Sequence, residues 1–153
     1  MHVRYLSALI ALIAILLLGS CESVTCPLEN TVELHCVLYD LASTDTLTVS
    51  TIHPDTVLLN RHVTKTAFEL PMSYYADEDT LLFCFAMATT ALTDTVLVAK
   101  TNLYHTDDPS CPTNIFHTIT QVRHTQHKID SISITDPAVN YDVQDNLHIY
   151  LHP

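Results

Sequence analysis

The residues best suited to binding chemistry lie in one short segment, Tyr74-Tyr75-Ala76-Asp77-Glu78-Asp79. Adjacent aromatic rings beside carboxylates can stack on sugar rings and accept hydrogen bonds from their hydroxyl groups. Carboxylates in a loop also suit a calcium ion, which takes six to eight oxygen ligands. The alternative is a hydrated loop whose tyrosines cover one end of the fold. We take Tyr74, Tyr75, Asp77 and Asp79 as the candidate ligand-binding residues.

A group of histidines is the second place where chemistry is conceivable. Its members are His105, His117, His124 and His127. His124 and His127 flank Thr125-Gln126, and if those two residues form a hairpin turn the imidazoles converge at its tip. Two ligands make only a weak, exposed zinc site, and a solvated turn explains the same pattern. We predict no metal site and no cofactor.

The scarcity of glycine argues against several classes of enzyme. The only glycine, Gly19, lies in the N-terminal apolar segment. The P-loop, the dinucleotide fingerprint, the G-x-S-x-G elbow and the EF-hand loop all need glycine for close backbone approach or positive φ. No H-E-x-x-H motif occurs, and no spacing of Ser, His and Asp singles out a triad. We therefore do not expect an enzyme.

The N-terminal residues have the layout of an export signal. Residues 1–4 carry one positive charge, and residues 5–18 are almost wholly Leu, Ile and Ala, followed by Gly19 and Ser20. A basic start, an apolar stretch and small residues before the cleavage point are typical of a secretory signal peptide. The stretch is shorter than the roughly 20 apolar residues that cross a bilayer. We predict that residues 1–20 are a signal peptide.

The end of this segment, Leu18-Gly19-Ser20-Cys21, is similar to the lipobox of bacterial lipoproteins. The resemblance implies a mature chain that starts at Cys21, with a diacylglyceryl thioether and an acylated amino group. Two or more acyl chains hold a protein firmly, at ~0.8 kcal/mol per buried CH₂. The alternative is ordinary secretory cleavage, with Cys21 as a fifth disulfide candidate. We take residues 21–30 as the lipidated cysteine and a short tether.

The remaining four cysteines allow three disulfide pairings. They are Cys26, Cys36, Cys84 and Cys111. An even number in an exported chain predicts disulfides, since export leads to an oxidising compartment. Cys26 and Cys111 each precede a proline in a loop-like setting, whereas Cys36 and Cys84 lie in apolar runs, so like environments predict the pairs Cys26–Cys111 and Cys36–Cys84. A zinc site is the alternative, but no C-x-x-C spacing supports it.

The charge balance opposes two kinds of partner. The chain has 17 acidic residues against six Lys and Arg, for a net charge of −11 at pH 7. Nucleic acid rewards a clustered basic face, so we expect no nucleic-acid partner. Adhesion to anionic lipid is disfavoured for the same reason. We expect the membrane to be reached through the acyl chains.

A recurring unit predicts how the chain folds around these residues. In each copy an Asp precedes a small polar residue and two apolar residues spaced two apart. Copies begin at Asp45, Asp55, Asp79 and Asp94, and looser ones at Asp130 and Asp145. A period of two places the apolar side chains on one face of a strand. Asp favours turns and Thr favours strands, so the unit predicts a turn followed by a strand.

Further apolar alternation fills the gaps between these units. Residues 31–39, 67–72 and 115–124 read as strands, with Cys36 on the buried face of the first. Residues 81–88 are apolar on both parities, as expected of a central strand covered on each side. Eight or nine short strands with frequent turns predict one domain, residues 31–153, folded as an antiparallel, disulfide-stabilised β-sandwich of immunoglobulin-like type.

Several segments together resemble a family of small, uncharacterised lipoproteins of Bacteroidota. They are Cys21, Cys26-Pro27, Phe68-Glu69-Leu70-Pro71, the stretch FHTITQVRHTQHKID and the final NLHIYLH. The resemblance implies an outer-membrane lipoprotein with a β-sandwich domain of unknown function, and it transfers no active residues. Only Glu22 follows the lipid cysteine as an acid, which leaves periplasm-facing and surface-exposed orientations both open.

These observations lead to one functional expectation and one alternative. We expect a lipid-anchored cell-envelope protein that acts as a binding or structural module for another envelope protein. The alternative is a carbohydrate- or metal-binding module of the outer membrane. An exposed strand edge or apolar patch favours the first, and a built site at the tyrosine loop favours the second.

Overall fold

The computed structural model describes Cys26 and residues 31–52, 55–62 and 66–152. The predicted signal peptide and Cys21 lie outside these residues. No helix in the described ranges is long and apolar enough to span a membrane.

The described chain folds into ten strands arranged in two sheets, which confirms the predicted all-β sandwich. The strands are β1 (Glu33–Tyr39), β2 (Thr46–Thr51), β3 (Thr56–His62), β4 (Ala67–Pro71), β5 (Glu78–Ala86), β6 (Ala91–His105), β7 (Asn114–His124), β8 (Ile129–Ile134), β9 (Ala138–Val139) and β10 (Leu147–Leu151). One sheet has the order β4-β1-β10-β8 and the other β3-β2-β5-β6-β7-β9.

One strand pairing departs from the antiparallel pattern predicted from sequence. β1 and β10 run parallel, with Cys36 opposite Leu147 and Tyr39 opposite Tyr150. The other pairings are antiparallel. The late strand β10 therefore lies in the middle of the smaller sheet, between the early strand β1 and β8.

Alternation along the strands builds the core between the sheets. On β5, Leu81, Phe83 and Phe85 are buried, while the residues between them are only half-buried. They face the inward side chains of the smaller sheet, and the rings of Phe68 and Phe83 lie 6.3 Å apart. Each such side chain contributes about 1.5–3 kcal/mol by leaving water. The expectation that the central strand is covered on both faces is therefore wrong for β5.

The cysteines follow the predicted pairing in one case and not in the other. Cys26 and Cys111 form a disulfide, with their Cα atoms 5.5 Å apart. The predicted Cys36–Cys84 bridge is wrong, because both residues are free thiols. Cys36 points into the core from β1, whereas Cys84 alternates with the inward Phe83 and Phe85 and lies on the outer face of the opposite sheet.

A tyrosine-lined cleft as the candidate binding site

A cleft of about 610 Å³ opens at one end of the sandwich. Three segments form it: the loop between β4 and β5, the region where β6 and β7 meet their connecting loop, and the start of β1. Its walls include the three tyrosines Tyr74, Tyr75 and Tyr104. This volume lies in the range of about 300–1,000 Å³ that is usual for small-molecule sites.

The tyrosines present their rings to solvent instead of packing them into the core. Tyr74 is 60% exposed, Tyr75 81% and Tyr104 66%. Tyr74 and Tyr75 meet edge to face, with ring centroids 6.5 Å apart. Buried Met72 and Ile115 also line the cleft, so it combines an apolar base with amphipathic walls. A ligand can therefore stack on the rings and hydrogen-bond to their hydroxyl groups.

The wall formed by β7 adds a fixed polar group. Asn114 lines the cleft, and its Nδ2 donates to the Tyr141 hydroxyl at 2.6 Å. The Tyr141 hydroxyl donates in turn to Asp107 Oδ2 at 3.2 Å. This chain orients the Asn114 amide and leaves its Oδ1 as an acceptor without a partner among the described residues. The cleft thus has both faces for stacking and at least one oriented hydrogen-bonding group.

A buried lysine holds the tyrosine loop in place. The Lys100 side chain is 0% exposed. Its Nζ donates to the backbone oxygens of Ser73 at 2.6 Å and Ala76 at 2.7 Å, and to Asn102 Oδ1 at 3.1 Å. Burial lowers the pKa of Lys100, and the negative charge of Asp79 opposes that shift. The loop backbone is therefore fixed on both sides of Tyr74 and Tyr75, so a ligand would not have to order it.

The predicted ligand-binding residues divide into two pairs in the structure. Tyr74 and Tyr75 line the cleft, whereas Asp77 and Asp79 do not. The Asp79 carboxylate lies 3.6 Å from Lys100 Nζ and accepts a hydrogen bond from the Ser73 backbone N–H at 3.2 Å. Its role is to close the loop, because both of these contacts are internal. Asp79 therefore helps to fix the loop, and a part for it in ligand binding stays a prediction.

The buried histidine His117 joins the polar side chains of Lys100 and Asn102 in the interior. It is 3% exposed, and its Nδ1 lies 2.8 Å from Asn102 Oδ1. Since that oxygen can only accept, Nδ1 carries the proton. Burial, and then the positive charge of Lys100, lower the pKa of His117 to about 4. The imidazole is therefore neutral at pH 7, and its Nε2 has no hydrogen-bond partner among the described residues.

Residues 46–151 match a family of unknown function, DUF6452. The chain belongs to the DUF6452 family. The match begins with the first residue of β2 and ends with the last of β10, so it includes the tyrosine loop and Lys100 but not β1 or Cys26. None of the curated proteins or solved structures compared with the chain matches it.

A second buried charge, that of Asp94, lies at the opposite end of the sandwich from the tyrosine cleft. The Asp94 carboxylate is fully buried and accepts from the backbone N–H groups of His127, Lys128 and Ile129 at 2.7–2.8 Å. The Thr125 hydroxyl donates to it at 2.6 Å. Burial acts to raise the pKa of Asp94, but these hydrogen bonds lower it to about 2. The carboxylate fixes the connection between β7 and β8.

This connection is different from the predicted histidine hairpin. β7 pairs with β6 and β9, whereas β8 pairs with β10 in the other sheet, so residues 125–128 cross between the sheets. His127 Nδ1 lies 3.1 Å from Asp94, and His124 Nδ1 lies 2.9 Å from the Thr125 carbonyl oxygen. Within the described ranges no group of three or more His, Cys, Asp or Glu is arranged to hold a metal ion.

The sequence analysis does not identify three positioning residues, Lys100, Asn102 and His117. A sequence pattern does point to Lys100 and Asn102. Val96 and Val98 occupy the inward parity of β6, and Lys100 and Asn102 continue the same parity. Polar residues in an inward row are expected to hydrogen-bond to something buried. The pattern indicates that such partners exist, but it does not identify the loop that supplies them.

Proposed function

We propose that the protein is a lipid-anchored binding module of the cell envelope and that its tyrosine cleft takes a carbohydrate. The observation that carries the ligand class is the combination of three exposed tyrosines with the oriented Asn114 amide around one cleft. Sugars offer flat C–H faces for aromatic rings and hydroxyl groups for polar side chains.

The anchor and the location rest on the N-terminal sequence. A signal-peptide layout ends at Cys21, and the described disulfide between Cys26 and Cys111 suits an oxidising compartment. Both features support an outer-membrane lipoprotein that faces the periplasm or the cell surface. Mass spectrometry of the native protein tests this part, because an unmodified Cys21 would refute it.

Titration of the protein with soluble oligosaccharides released from bacterial envelopes tests the ligand. We expect saturable binding, and we expect Tyr75→Ala or Tyr104→Ala to weaken it about 2- to 10-fold, as loss of one stacking ring implies. Tyr39→Ala is the matched control, because Tyr39 stacks on Tyr150 on the outer face of the smaller sheet. Absence of binding across the panel, or equal losses for the cleft variants and the control, would refute the carbohydrate site.

A protein partner is the second candidate, and the edge of the larger sheet favours it. β3 is an edge strand of that sheet, and its Val57 is 55% exposed. Edge strands offer unpaired backbone groups to an added strand. Capture of one specific envelope protein that Val57→Lys abolishes and Tyr75→Ala leaves intact would favour this candidate over the carbohydrate.

A further inference from the structure

The disulfide fastens the N-terminal tether to a particular part of the domain. Cys111 lies in the loop between β6 and β7, and the residues that follow this loop, Thr113 and Asn114, line the cleft. The Cα atom of Cys26 is 5.5 Å from that of Cys111. The chain that leads back to Cys21 therefore starts beside the cleft.

The length of that chain limits how far the cleft can be from an anchor. Residues 21 and 26 are five residue steps apart, which span at most about 18 Å when fully extended. With the Cα separation across the disulfide added, Cys111 lies no more than roughly 24 Å from Cys21. Thr31, which also lines the cleft, is ten residue steps from residue 21, so a tether held only at Thr31 would start at the same end of the domain but could extend up to about 36 Å.

The opposite end of the sandwich lies beyond this reach. β6 has 15 residues and runs the length of the larger sheet. At about 3.4 Å per residue, Asp94 near its start and His105 at its end are roughly 37 Å apart. The end that holds residues 125–128 is therefore the distal one, and the cleft end is the proximal one.

The most exposed large apolar and aromatic side chains collect at the proximal end. Among the described residues five are at least 60% exposed: Tyr74, Tyr75, Leu103, Tyr104 and Val143. The first four lie in the tyrosine loop and at the end of β6, beside the disulfide loop. Tyrosine has an apolar ring and a polar hydroxyl, and it is enriched where protein meets the headgroup layer of a bilayer.

We infer that the tether, shortened by the Cys26–Cys111 disulfide, holds the cleft end of the domain next to the membrane, so that Tyr75, Leu103 and Tyr104 lie against the lipid headgroups. This inference rests on the proposed lipid anchor at Cys21. Asp107 is exposed at the same end, which disfavours anionic lipid, so the surface in question is zwitterionic. The acyl chains hold the protein on the bilayer, and the disulfide limits how far the cleft end can move from it. A carbohydrate that enters the cleft is then one carried on a lipid of the same leaflet.

The sequence offers a direct test, because the chain contains no tryptophan. The full lipidated protein is reconstituted in phosphatidylethanolamine and phosphatidylcholine vesicles that carry a headgroup-linked energy acceptor. Tyr75→Trp places a single donor at the proximal end, and Gln126→Trp, at an exposed distal position, is the matched control. We expect strong energy transfer from the first variant and little from the second.

Two further variants separate the disulfide from the anchor. A ten-residue Gly-Ser insertion after Ser23 leaves the disulfide intact and lengthens the tether, so transfer from Tyr75→Trp should fall. The double variant Cys26→Ser, Cys111→Ser should have the same effect. Equal transfer from both tryptophan positions in vesicle-bound protein would overturn the orientation alone. Protein that does not associate with vesicles would overturn the anchor as well.

Discussion

β6 carries two buried charges, Asp94 near its start and Lys100 six residues further on, and they order loops at opposite ends of the sandwich in opposite ways. Lys100 donates to backbone carbonyl groups of the loop between β4 and β5, whereas Asp94 accepts from backbone N–H groups of the connection between β7 and β8. In each case one side chain satisfies several backbone groups that would otherwise be buried without partners. A single strand thus orders the loops at both ends of the sandwich.

The two ends differ in what the ordered loop presents. The Lys100 end displays Tyr74 and Tyr75 around a cleft, while the Asp94 end directs its hydrogen bonds into a connection between the sheets. Buried charges at both ends are therefore structural, and only one of the ordered loops has side chains suited to a ligand. Lys100 and Asp94 shape loops, whereas Tyr74 and Tyr75 are the residues proposed to bind.

The largest expected effect is at the Asp94 end. Asp94→Ala leaves three backbone N–H groups and the Thr125 hydroxyl without their acceptor, so we expect a loss of about 3–5 kcal/mol in the free energy of unfolding. Urea denaturation measures it. Asp130→Ala, at an exposed acid on β8, is the control and should change stability by less than about 0.5 kcal/mol. Similar values for the two variants would show that Asp94 does not organise the connection.

Measuring the free energy of unfolding as the pH is lowered distinguishes the two ends, because His117 and Asp94 take up protons in different pH ranges. His117 has a pKa of about 4 when folded against 6.5 when unfolded, so the unfolded state binds more protons and stability falls as the pH drops from 6.5 to 4. The loss should be on the order of 2–3 kcal/mol. Asp94 acts at lower pH, because its pKa falls from 3.8 to about 2 on folding and the stability that it contributes is lost as the pH drops through that range.

Denaturation at a series of pH values measures both windows. His117→Phe should flatten the upper window and leave the lower one unchanged. A wild-type slope between pH 6.5 and 4 in this variant would contradict the assignment of that window to His117.

The loss of stability expected at the Lys100 end is smaller than the loss expected for Asp94→Ala. Lys100→Met keeps the volume but removes the donor to the Ser73 and Ala76 carbonyl groups and leaves Asp79 without its cation. We expect a loss of about 2–3 kcal/mol. Hydrogen exchange should quicken in residues 72–77 while residues 125–128 keep their protection. Uniform exchange at both ends would mean that Lys100 supports the whole fold and not the tyrosine loop in particular.

The smallest effect is expected from the exposed ring itself. Tyr75 is 81% exposed, so Tyr75→Ala should change the free energy of unfolding by less than about 0.5 kcal/mol, as should Gln126→Ala at the distal end. Thermal unfolding of both variants checks this. A marked loss for Tyr75→Ala alone would show that the ring is structural and would weaken the case for a binding role.

Local sequence patterns located most strands and the tyrosine loop but not the contacts between distant segments. The Asp-Thr unit correctly predicts β2 and β3, which begin at Thr46 and Thr56. It fails at Asp94, which lies inside β6 and points inward. A short pattern cannot distinguish an acid that starts a turn from one that serves a segment more than 30 residues away.

Strand parity explains the other errors. Alternation places Cys36 on a buried face. Cys84 lies within a run that is apolar on both parities, so the sequence does not show which face of the strand its side chain is on. The same limit applies to Thr125-Gln126, because the pattern shows a break between two strands without showing that they belong to different sheets. Lys100 was missed because its partners lie 24 to 27 residues away.

The parallel pairing of β1 with β10 has a consequence for how the molecule forms. Cys36 lies opposite Leu147, so the smaller sheet has a gap at its centre until the chain as far as residue 151 has been synthesised. Contacts of such long sequence separation are slow to close. β5, β6 and β7 pair with strands that are consecutive in sequence and can assemble first. The apolar face of that early sheet then stays uncovered until β10 arrives, which is the stage at which the chain is most prone to aggregate.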